Sequence, residues 1–499
     1  MRHRRRRGAG GARGDLSDDK TMTHTLFKTS ALVTALVLAG CSLAPTVPQP
    51  DVGVPSAYKE VTAVEGSWKA AAPSEAQQRG AWWVTFGDAK LNALEEQAAK
   101  ANPTLASAAA RVKAARASLG SAEADRWPQL GLNAGATRSR SAPAQAGVPA
   151  GTPVSPSTVY TAGLGASYEV DLFQRVGNGV NAARADAEQV EASYRSVLLA
   201  LQADVAQTYF ALRALDAEAA QLDATLALRT ENVRLIGKRF QAGDVAELDV
   251  ARSRTELSTL QAEVVALRGS RSRIEHSLAL LLGQAPSGFS FENQPLALDA
   301  SVPVVPPGLP SALLERRPDV TAAQRSMAAA TARVGVAKSA LFPALALTAN
   351  GGYASNELSE LFKTNAQSWL TSLVFSLPII DGGRNKAAVK RAEAQLEGAV
   401  ADYRQSVLTA FADVEDNLSG LRSVREQVGF TDAAVASARR AAELADKRYR
   451  AGEDSYLQLL EAQRDLLTIE RQAVKLRGTW ATTTVGLIRS LGGGWETTQ

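Results

Sequence analysis

The sequence predicts a mainly helical fold with a transmembrane β portion, built from two copies of one unit. Three patterns support this fold class. Matching residues recur in the same order in the two halves of the chain, apolar residues follow a heptad period over long segments, and shorter segments alternate apolar and polar residues. At 499 residues the chain is long enough to form a large core.

The first 40 residues are predicted to be a leader that ends in a lipoprotein signal peptide. Residues 31–40 form an apolar run that is too short to span a membrane and has the length of a signal-peptide core. The run leads into a Leu-Ala-Gly-Cys motif, similar to the bacterial lipobox, that ends at Cys41, the single cysteine of the chain. We therefore expect cleavage before Cys41 and a covalent lipid on it. The alternative is an ordinary signal peptide with an incidental cysteine. Met1 and Met22 are both candidate start residues.

The charge balance argues against nucleic acid as a partner. The whole chain has a net charge of +4, but residues 41–499 contain 47 basic and 48 acidic side chains, so the basic excess lies in the leader. One histidine, His276, remains after the leader, and the common phosphate-loop, zinc-protease and serine-hydrolase motifs are not found. The sequence therefore predicts no enzyme activity, no metal site and no cofactor beyond the lipid on Cys41. Catalysis by scattered carboxylates is the alternative.

An internal repeat organises the rest of the chain. Asn102-Pro103 matches Arg317-Pro318 at a spacing of 215 residues, whereas residues 238–243 match 447–452 at a spacing of 209. The second copy is therefore six residues shorter, and the low-complexity stretch 141–157 is the expected place of the difference. The predicted organisation is a leader and signal peptide at 1–40, a lipid-anchored extended tether at 41–80, repeat 1 at 81–285, an inter-repeat linker in an equatorial region at 286–307, repeat 2 at 308–493 and a C-terminal tail at 494–499.

Each repeat is predicted to contain a first helix, two strands, a long helix, a tight turn and a returning helix. In the first copy we expect these helices at residues 103–126, 178–241 and 247–283. Apolar residues of the long helices recur at alternating spacings of three and four, which is typical of coiled-coil packing. At 1.5 Å per residue the long helix is expected to be about 96 Å long, and the first and returning helices placed end to end roughly match it. The body is therefore expected to be a tube or rod about 100 Å long. The seam residues are Leu198, Leu201, Val205, Thr208, Leu212, Leu215, Ala219, Leu222 and Leu226 in the first copy, and Val407, Ala410, Val414, Asn417, Leu421, Val424, Val428, Thr431 and Val435 in the second.

Four segments are predicted to be β-strands. Residues 160–172 and 368–379 alternate between apolar and polar side chains, and weaker strands follow Pro128 and Pro343. Lengths of about 10–13 residues suit tilted transmembrane strands. Four strands cannot close in lipid without exposed edges, whereas three copies of the chain give a twelve-stranded barrel. A β-sandwich lobe on a soluble coiled coil is the alternative. The aromatic residues expected at the membrane interfaces are Trp127, Tyr160, Tyr168, Phe342, Tyr353 and Trp369.

Short motifs spread over residues 83–495 resemble those of the TolC-type outer-membrane efflux proteins, in particular the lipid-anchored OprM/NodT-like branch. They differ from the usual family pattern at Ala89, where proline is common, and at Gln174, where glycine is common. The motifs are Trp83-Val84-Thr85-Phe86-Gly87-Asp88, Tyr168-Glu169-Val170-Asp171-Leu172-Phe173, Leu313-Leu314-Glu315-Arg316-Arg317-Pro318-Asp319-Val320, Leu341-Phe342-Pro343, Leu377-Pro378-Ile379-Ile380-Asp381-Gly382-Gly383-Arg384, Arg448-Tyr449-Arg450-Ala451-Gly452 and Leu491-Gly492-Gly493-Gly494-Trp495.

The resemblance implies an exit duct without chemistry of its own. It implies a homotrimer in the outer membrane, lipid-anchored and extending into the periplasm, that works with a periplasmic adaptor (a membrane fusion protein) and an inner-membrane RND-type transporter. The duct of a type I protein-secretion system shares the fold and is the alternative. The adaptor itself is disfavoured because it has one hairpin flanked by β-rich domains. The exported substrate is not specified by the sequence.

The resemblance also assigns roles to the two hairpin turns. It implies that both turns contact the adaptor, and that a leucine and an acidic residue one turn apart close the tunnel just above them. Leu457 and Glu461 match this pair, and Glu461 corresponds to Arg252 in the first copy, so an ion pair between them is a candidate latch. The predicted gate residues are Leu457, Glu461, Asp454 and Arg252. The predicted adaptor-contact residues are Arg239, Ala242, Gly243, Leu248, Arg448, Ala451, Gly452 and Ser455.

Overall fold

The structure is a computed structural model that describes residues 42–60, 81–296 and 316–493, together with residues 303, 305 and 313. The leader, Cys41, residues 61–80, most of the 297–315 stretch and the 494–499 tail lie outside the described residues. The domain boundaries proposed above stay predictions. None of the described helices contains an apolar stretch long enough to cross a membrane.

Both halves of the chain contain the same order of elements. A helix is followed by two strands, a long helix and a returning helix, as the sequence predicts. The elements are α1 (Ala89–Ala101), α2 (Pro103–Ala124), β1 (Gln129–Ser139), β2 (Ser157–Val170), α3 (Arg175–Gln241), α4 (Glu247–Leu281), α5 (Pro318–Ser339), β3 (Ala344–Ser355), β4 (Gln367–Ser376), α6 (Arg384–Ala451) and α7 (Tyr456–Ser490). The mainly helical fold with four described strands is confirmed.

The start of α3 differs from the expected position. The helix begins at Arg175 rather than Asn178 because the Asp171 carboxylate accepts hydrogen bonds from the main-chain N–H groups of Val176 (3.0 Å) and Gly177 (2.6 Å). These donors belong to the first turn and have no acceptor within the helix. The predicted bound missed this cap, which lies inside the predicted strand segment.

The four strands form one antiparallel sheet in the order β1-β2-β3-β4. The β1–β2 connection spans residues 140–156 and the β3–β4 connection spans 356–366, so the second is six residues shorter. This difference equals the change in repeat spacing and falls where the sequence indicated.

The register of the sheet separates two faces. Residues that pair directly point to the same face, and Leu132 pairs with Leu164, which lies opposite Gly351. One face is therefore apolar. It carries Leu130, Leu132, Tyr160, Leu164, Tyr168, Leu345, Leu347, Tyr353, Trp369, Leu373 and Phe375. The other face is mainly small or polar, with Gly131, Asn133, Gly135, Thr161, Gly163, Gly165, Ser167, Thr348, Asn350, Gly352, Ser368 and Ser372, interrupted by Val159, Leu370 and Val374.

The compact unit that comprises residues 48–118, 184–328 and 397–499 contains the helical hairpins. Its largest apolar cluster joins α1, α3, α4 and α7 through Leu91, Tyr209, Leu278 and Ile488, and it includes Tyr58 from the N-terminal segment. The heptad seams of α3 and α6 are buried or half-buried along their length, which agrees with the coiled-coil prediction.

Candidate functional site

The candidate site comprises the two hairpin turns, which we call tip 1 (residues 239–248) and tip 2 (residues 448–457). Tip 1 joins α3 to α4, and tip 2 joins α6 to α7. Every predicted adaptor-contact residue and two predicted gate residues, Asp454 and Leu457, lie in these segments.

Both tips end the long helix with the same cap. In tip 1 the N–H of Gly243 donates to the carbonyl of Phe240 and that of Asp244 donates to the carbonyl of Arg239. In tip 2 the equivalent bonds run from Gly452 and from the residue after it to positions 449 and 448. This pair of main-chain hydrogen bonds is a Schellman motif. Both glycines have positive φ (82° and 76°), a conformation in which a residue with a side chain is strained. Gly243 and Gly452 are therefore required by the turn itself.

The cationic residue before each turn has a different partner in the two tips. In tip 2 the Arg448 guanidinium lies 2.9 Å from the Asp454 carboxylate, whose side chain is mostly buried. In tip 1 the position equivalent to Asp454 is Val245, and Arg239 instead donates to the Tyr449 hydroxyl of tip 2 at 3.0 Å and lies over its ring. The Arg239–Tyr449 contact thus attaches tip 1 to tip 2. The ion pairs of Arg448 are instead with residues of its own tip.

An apolar cluster underlies both tips. Ile236 and Val250 of the first hairpin pack with Tyr456, Leu459 and Leu460 of the second. Burial raises the pKa of the Tyr456 hydroxyl above its usual value. The cluster holds the two turns in one arrangement and leaves Leu248 exposed at the surface.

The predicted gate residues do not form the predicted latch. Leu457 is half-buried and Glu461 is exposed one turn further along α7. The Arg252 guanidinium pairs with Asp249 on its own helix, at 3.8 Å, and no ion pair with Glu461 occurs in the described part of the chain. Asp249 lies one turn from Arg252 and is reached without crossing between helices, which accounts for the preference.

A buried charge network above the tips was not predicted from the sequence. Glu218 of α3 is 3% exposed and lies 2.8 Å from Arg471 and 3.6 Å from Lys475 of α7. Arg471 also pairs with Glu263 of α4 at 2.7 Å. The available signal was the position of Glu218 next to a seam residue, Ala219, where a surface charge is not expected. Removing one member of such a group leaves its partner buried and unpaired.

A second unpredicted network fixes the residues that follow α4. The Arg213 guanidinium lies 2.6 Å from the Asp88 carboxylate, which also accepts from the Tyr209 hydroxyl at 2.7 Å. Arg213 further donates to the carbonyls of Gln294 and Pro295. Asp88 caps α1 as well, because its carboxylate accepts hydrogen bonds from the N–H groups of Lys90 and Leu91. The sequence analysis had noted Asp88 only as part of a motif.

Comparison with known proteins identifies similar chains over nearly the whole length. The sequence model of the outer membrane efflux protein family matches residues 94–284 and 309–493. The outer membrane protein OprJ of Pseudomonas aeruginosa is 34% identical over 482 residues, covering 95% of this chain and 97% of that protein. The solvent efflux pump outer membrane protein SrpC of Pseudomonas putida is 33% identical over 477 residues, covering 95% and 99%. The CmeC outer membrane channel of Campylobacter jejuni superimposes with a TM-score of 0.83 at 26% identity, covering 92% of this chain and 96% of that one.

Proposed function

Because the chain belongs to the outer membrane efflux protein family, it is the outer-membrane component of an efflux pump, and we propose that it forms the passive exit duct of a three-part assembly. In this proposal a periplasmic adaptor and an inner-membrane RND-type transporter deliver small toxic compounds, and the duct conducts them to the exterior without a cofactor. The observation that carries the proposal is the sheet, which has one apolar face, one polar face and two open edges.

The sheet supports a trimer. β1 and β4 are its edges, and an open edge in lipid leaves main-chain groups without partners. The strands alternate in direction, so β4 of one copy is antiparallel to β1 of the next, and three copies give twelve strands. The trimer is expected to migrate as a heat-labile species on semi-native gels. A stable monomer in detergent would argue against it.

The lipobox-like motif supports a covalent lipid on Cys41, although this residue lies outside the described part of the chain. The expected mass of the mature protein is that of residues 41–499 plus acyl groups. An unmodified Cys41 still joined to Gly40 would contradict the proposal.

The two tips support an end-on contact with the adaptor. Gly243 and Gly452 have free space around them, and Leu248 is 57% exposed, so the turns present an accessible surface. We expect Leu248→Asp to abolish crosslinking to the adaptor while leaving the trimer intact. Phe430→Asp, which changes an exposed apolar residue of α6 away from the tips, serves as the control.

Deletion of the gene tests the function as a whole. We expect hypersensitivity to members of a panel of organic solvents, dyes, antibiotics and metal ions, because related ducts carry names of solvent and other efflux pumps. Loss of protein secretion without hypersensitivity to any compound would favour the type I secretion alternative.

A further inference from the structure

The N-terminal segment is seated against the helices that adjoin the sheet. In the compact unit that contains residues 42–47, 119–183 and 329–396, the Ser42 hydroxyl donates to Oδ1 of Asn178 on α3 at 3.4 Å. Ala44 lies against Gly335 of α5. A Cβ added to Gly335 would lie 2.7 Å from the Cβ of Ala44 and 2.6 Å from Nδ2 of Asn178. The close approach therefore requires glycine at position 335.

The side-chain amide of Asn178 has a hydrogen-bond donor without an acceptor. The residue is 2% exposed, and its Nδ2 has no hydrogen-bond partner among the described residues. Buried amide donors are nearly always paired, because leaving one without an acceptor costs free energy. Its Oδ1 faces Ser42, and the residue joined to Ser42 on the N-terminal side is Cys41. The missing acceptor is thus expected next to the predicted lipid attachment point.

We propose that Asn178 and Gly335 form a slot that binds the acylated N terminus of the mature chain, with Asn178 Nδ2 donating to the amide carbonyl of the acyl group. This inference rests on the lipidation of Cys41 proposed above. The slot suits an acylated terminus because an amide is neutral and supplies an acceptor. A free α-amino group would bring a charged donor towards a donor that is already unpaired.

The slot fixes the position at which the lipid leaves the protein. Asn178 follows β2 by eight residues and Gly335 precedes β3 by nine, so the slot adjoins the ends of two strands within one compact unit. A lipid that leaves the chain beside these strand ends enters the bilayer where the strands do. The anchor then holds the chain at one depth in the membrane, which a lipid on a free tether does not.

The repeat supplies a matched control. Gly120 is equivalent to Gly335 at the spacing of 215 residues, but a Cβ added there meets nothing within 4 Å. Gly120→Ala therefore changes the same residue type on the equivalent helix without touching the slot. Asn178→Leu removes the donor and leaves a side chain of similar size, so it tests the hydrogen bond separately from the packing.

The test measures release of the N-terminal peptide by limited elastase digestion of the purified full-length protein. Each variant is made in the acylated form and in an unacylated form that begins at Ser42 behind an ordinary signal peptide. Intact mass, read before digestion, reports acylation directly. A missing acyl group refutes the lipidation itself, independently of the digestion result.

In acylated protein we expect wild type and Gly120→Ala to be protected. We expect Gly335→Ala and Asn178→Leu to release the peptide about tenfold faster than wild type, a change of the size expected for loss of one hydrogen bond. In the unacylated form Asn178→Leu loses only the bond from Ser42, so we expect a smaller change in release than in the acylated protein. Unchanged release for Asn178→Leu in the acylated protein, or an equal change in both forms, would overturn the slot as a site for the acylated terminus.

Discussion

At the scale of single residues, Glu95 is the most unusual group in the helical unit. It lies on α1 between Leu94 and Ala98 and is 1% exposed, and neither carboxylate oxygen has a hydrogen-bond partner among the described residues. Burial raises its pKa to about 9, so the group is neutral at pH 7. The burial of Glu95 was not predictable from the sequence pattern, because a glutamate on an amphipathic helix is normally a surface residue.

The raised pKa makes stability depend on pH with a defined sign. In the unfolded chain Glu95 loses its proton near pH 4.5, whereas in the folded chain it keeps the proton to about pH 9. The folded state is therefore progressively disfavoured as pH rises between these values, by about 1.4 kcal/mol per pH unit. We expect Glu95→Gln to raise the thermal midpoint at pH 8 more than at pH 5. Glu96→Gln, at an exposed neighbour, is the control, and an equal effect of both changes would contradict the assignment.

At the scale of elements, both copies of the repeat contain the same joint, by which we mean the contact between the end of the returning helix and the residue that precedes the first helix. Asn102 donates to the carbonyl of Leu281 at the end of α4 (2.9 Å), and Arg317 donates to that of Ser490 at the end of α7 (3.2 Å). Both donors precede a proline that begins a helix. Gly283 and Gly492, which follow the returning helices, both have positive φ. A side chain at either position would collide with a main-chain carbonyl, that of Ala101 or Arg316 respectively. Two different side chains thus perform one task at equivalent positions.

Asn102 is the better position for testing the joint. Its side chain also caps α2 by accepting from the N–H of Leu105 at 3.0 Å. Asn102→Ala removes the cap and the bond to Leu281, so we expect a loss of about 2 kcal/mol in unfolding free energy. Chemical denaturation measures it, with Ser118→Ala on the exposed face of α2 as the control. A loss no larger than that of the control would mean that the joint contributes nothing.

The gate on α7 remains a prediction at this scale. Three copies of Glu461 around one axis would form an acidic ring that attracts cations and narrows the opening. We therefore expect Glu461→Ala to raise single-channel conductance in planar bilayers and to lower cation selectivity. Glu443→Ala, at an exposed glutamate of α6, is the control. The idea fails if both conductance and selectivity stay at their wild-type values.

Elements were predictable from the sequence where one residue type dictates one conformation. Glycine at Gly243 and Gly452 and the prolines before the strands fixed turns and boundaries, and alternation fixed which face each strand residue occupies. Partners across helices were not predictable. The repeat paired Glu461 with Arg252, but that guanidinium pairs with Asp249. The cations that pair with the buried Glu218 lie on another helix, α7.

At the scale of the whole molecule, the proposed trimer accounts for two features of the sheet. Its apolar face is uncovered, with Leu132 75% and Trp369 80% exposed, and both edges are open. In the proposed trimer a bilayer covers the apolar face, and neighbouring copies pair with the edges. The apolar and polar faces then meet lipid and lumen respectively, so adjacent residues of one strand are in different solvents.

Leu132 and Asn133 test this division most directly, because they are neighbours in the middle of β1 and point to opposite faces. Lysine on the lipid side costs about 2–4 kcal/mol per site near the bilayer centre, whereas a lumen site is wet. We expect Leu132→Lys to reduce the heat-labile trimer recovered from outer membranes and to restore sensitivity to exported compounds. Asn133→Lys should assemble normally and shift ion selectivity towards anions. Equal assembly of the two variants, or the reverse order, would mean that the apolar face does not contact lipid.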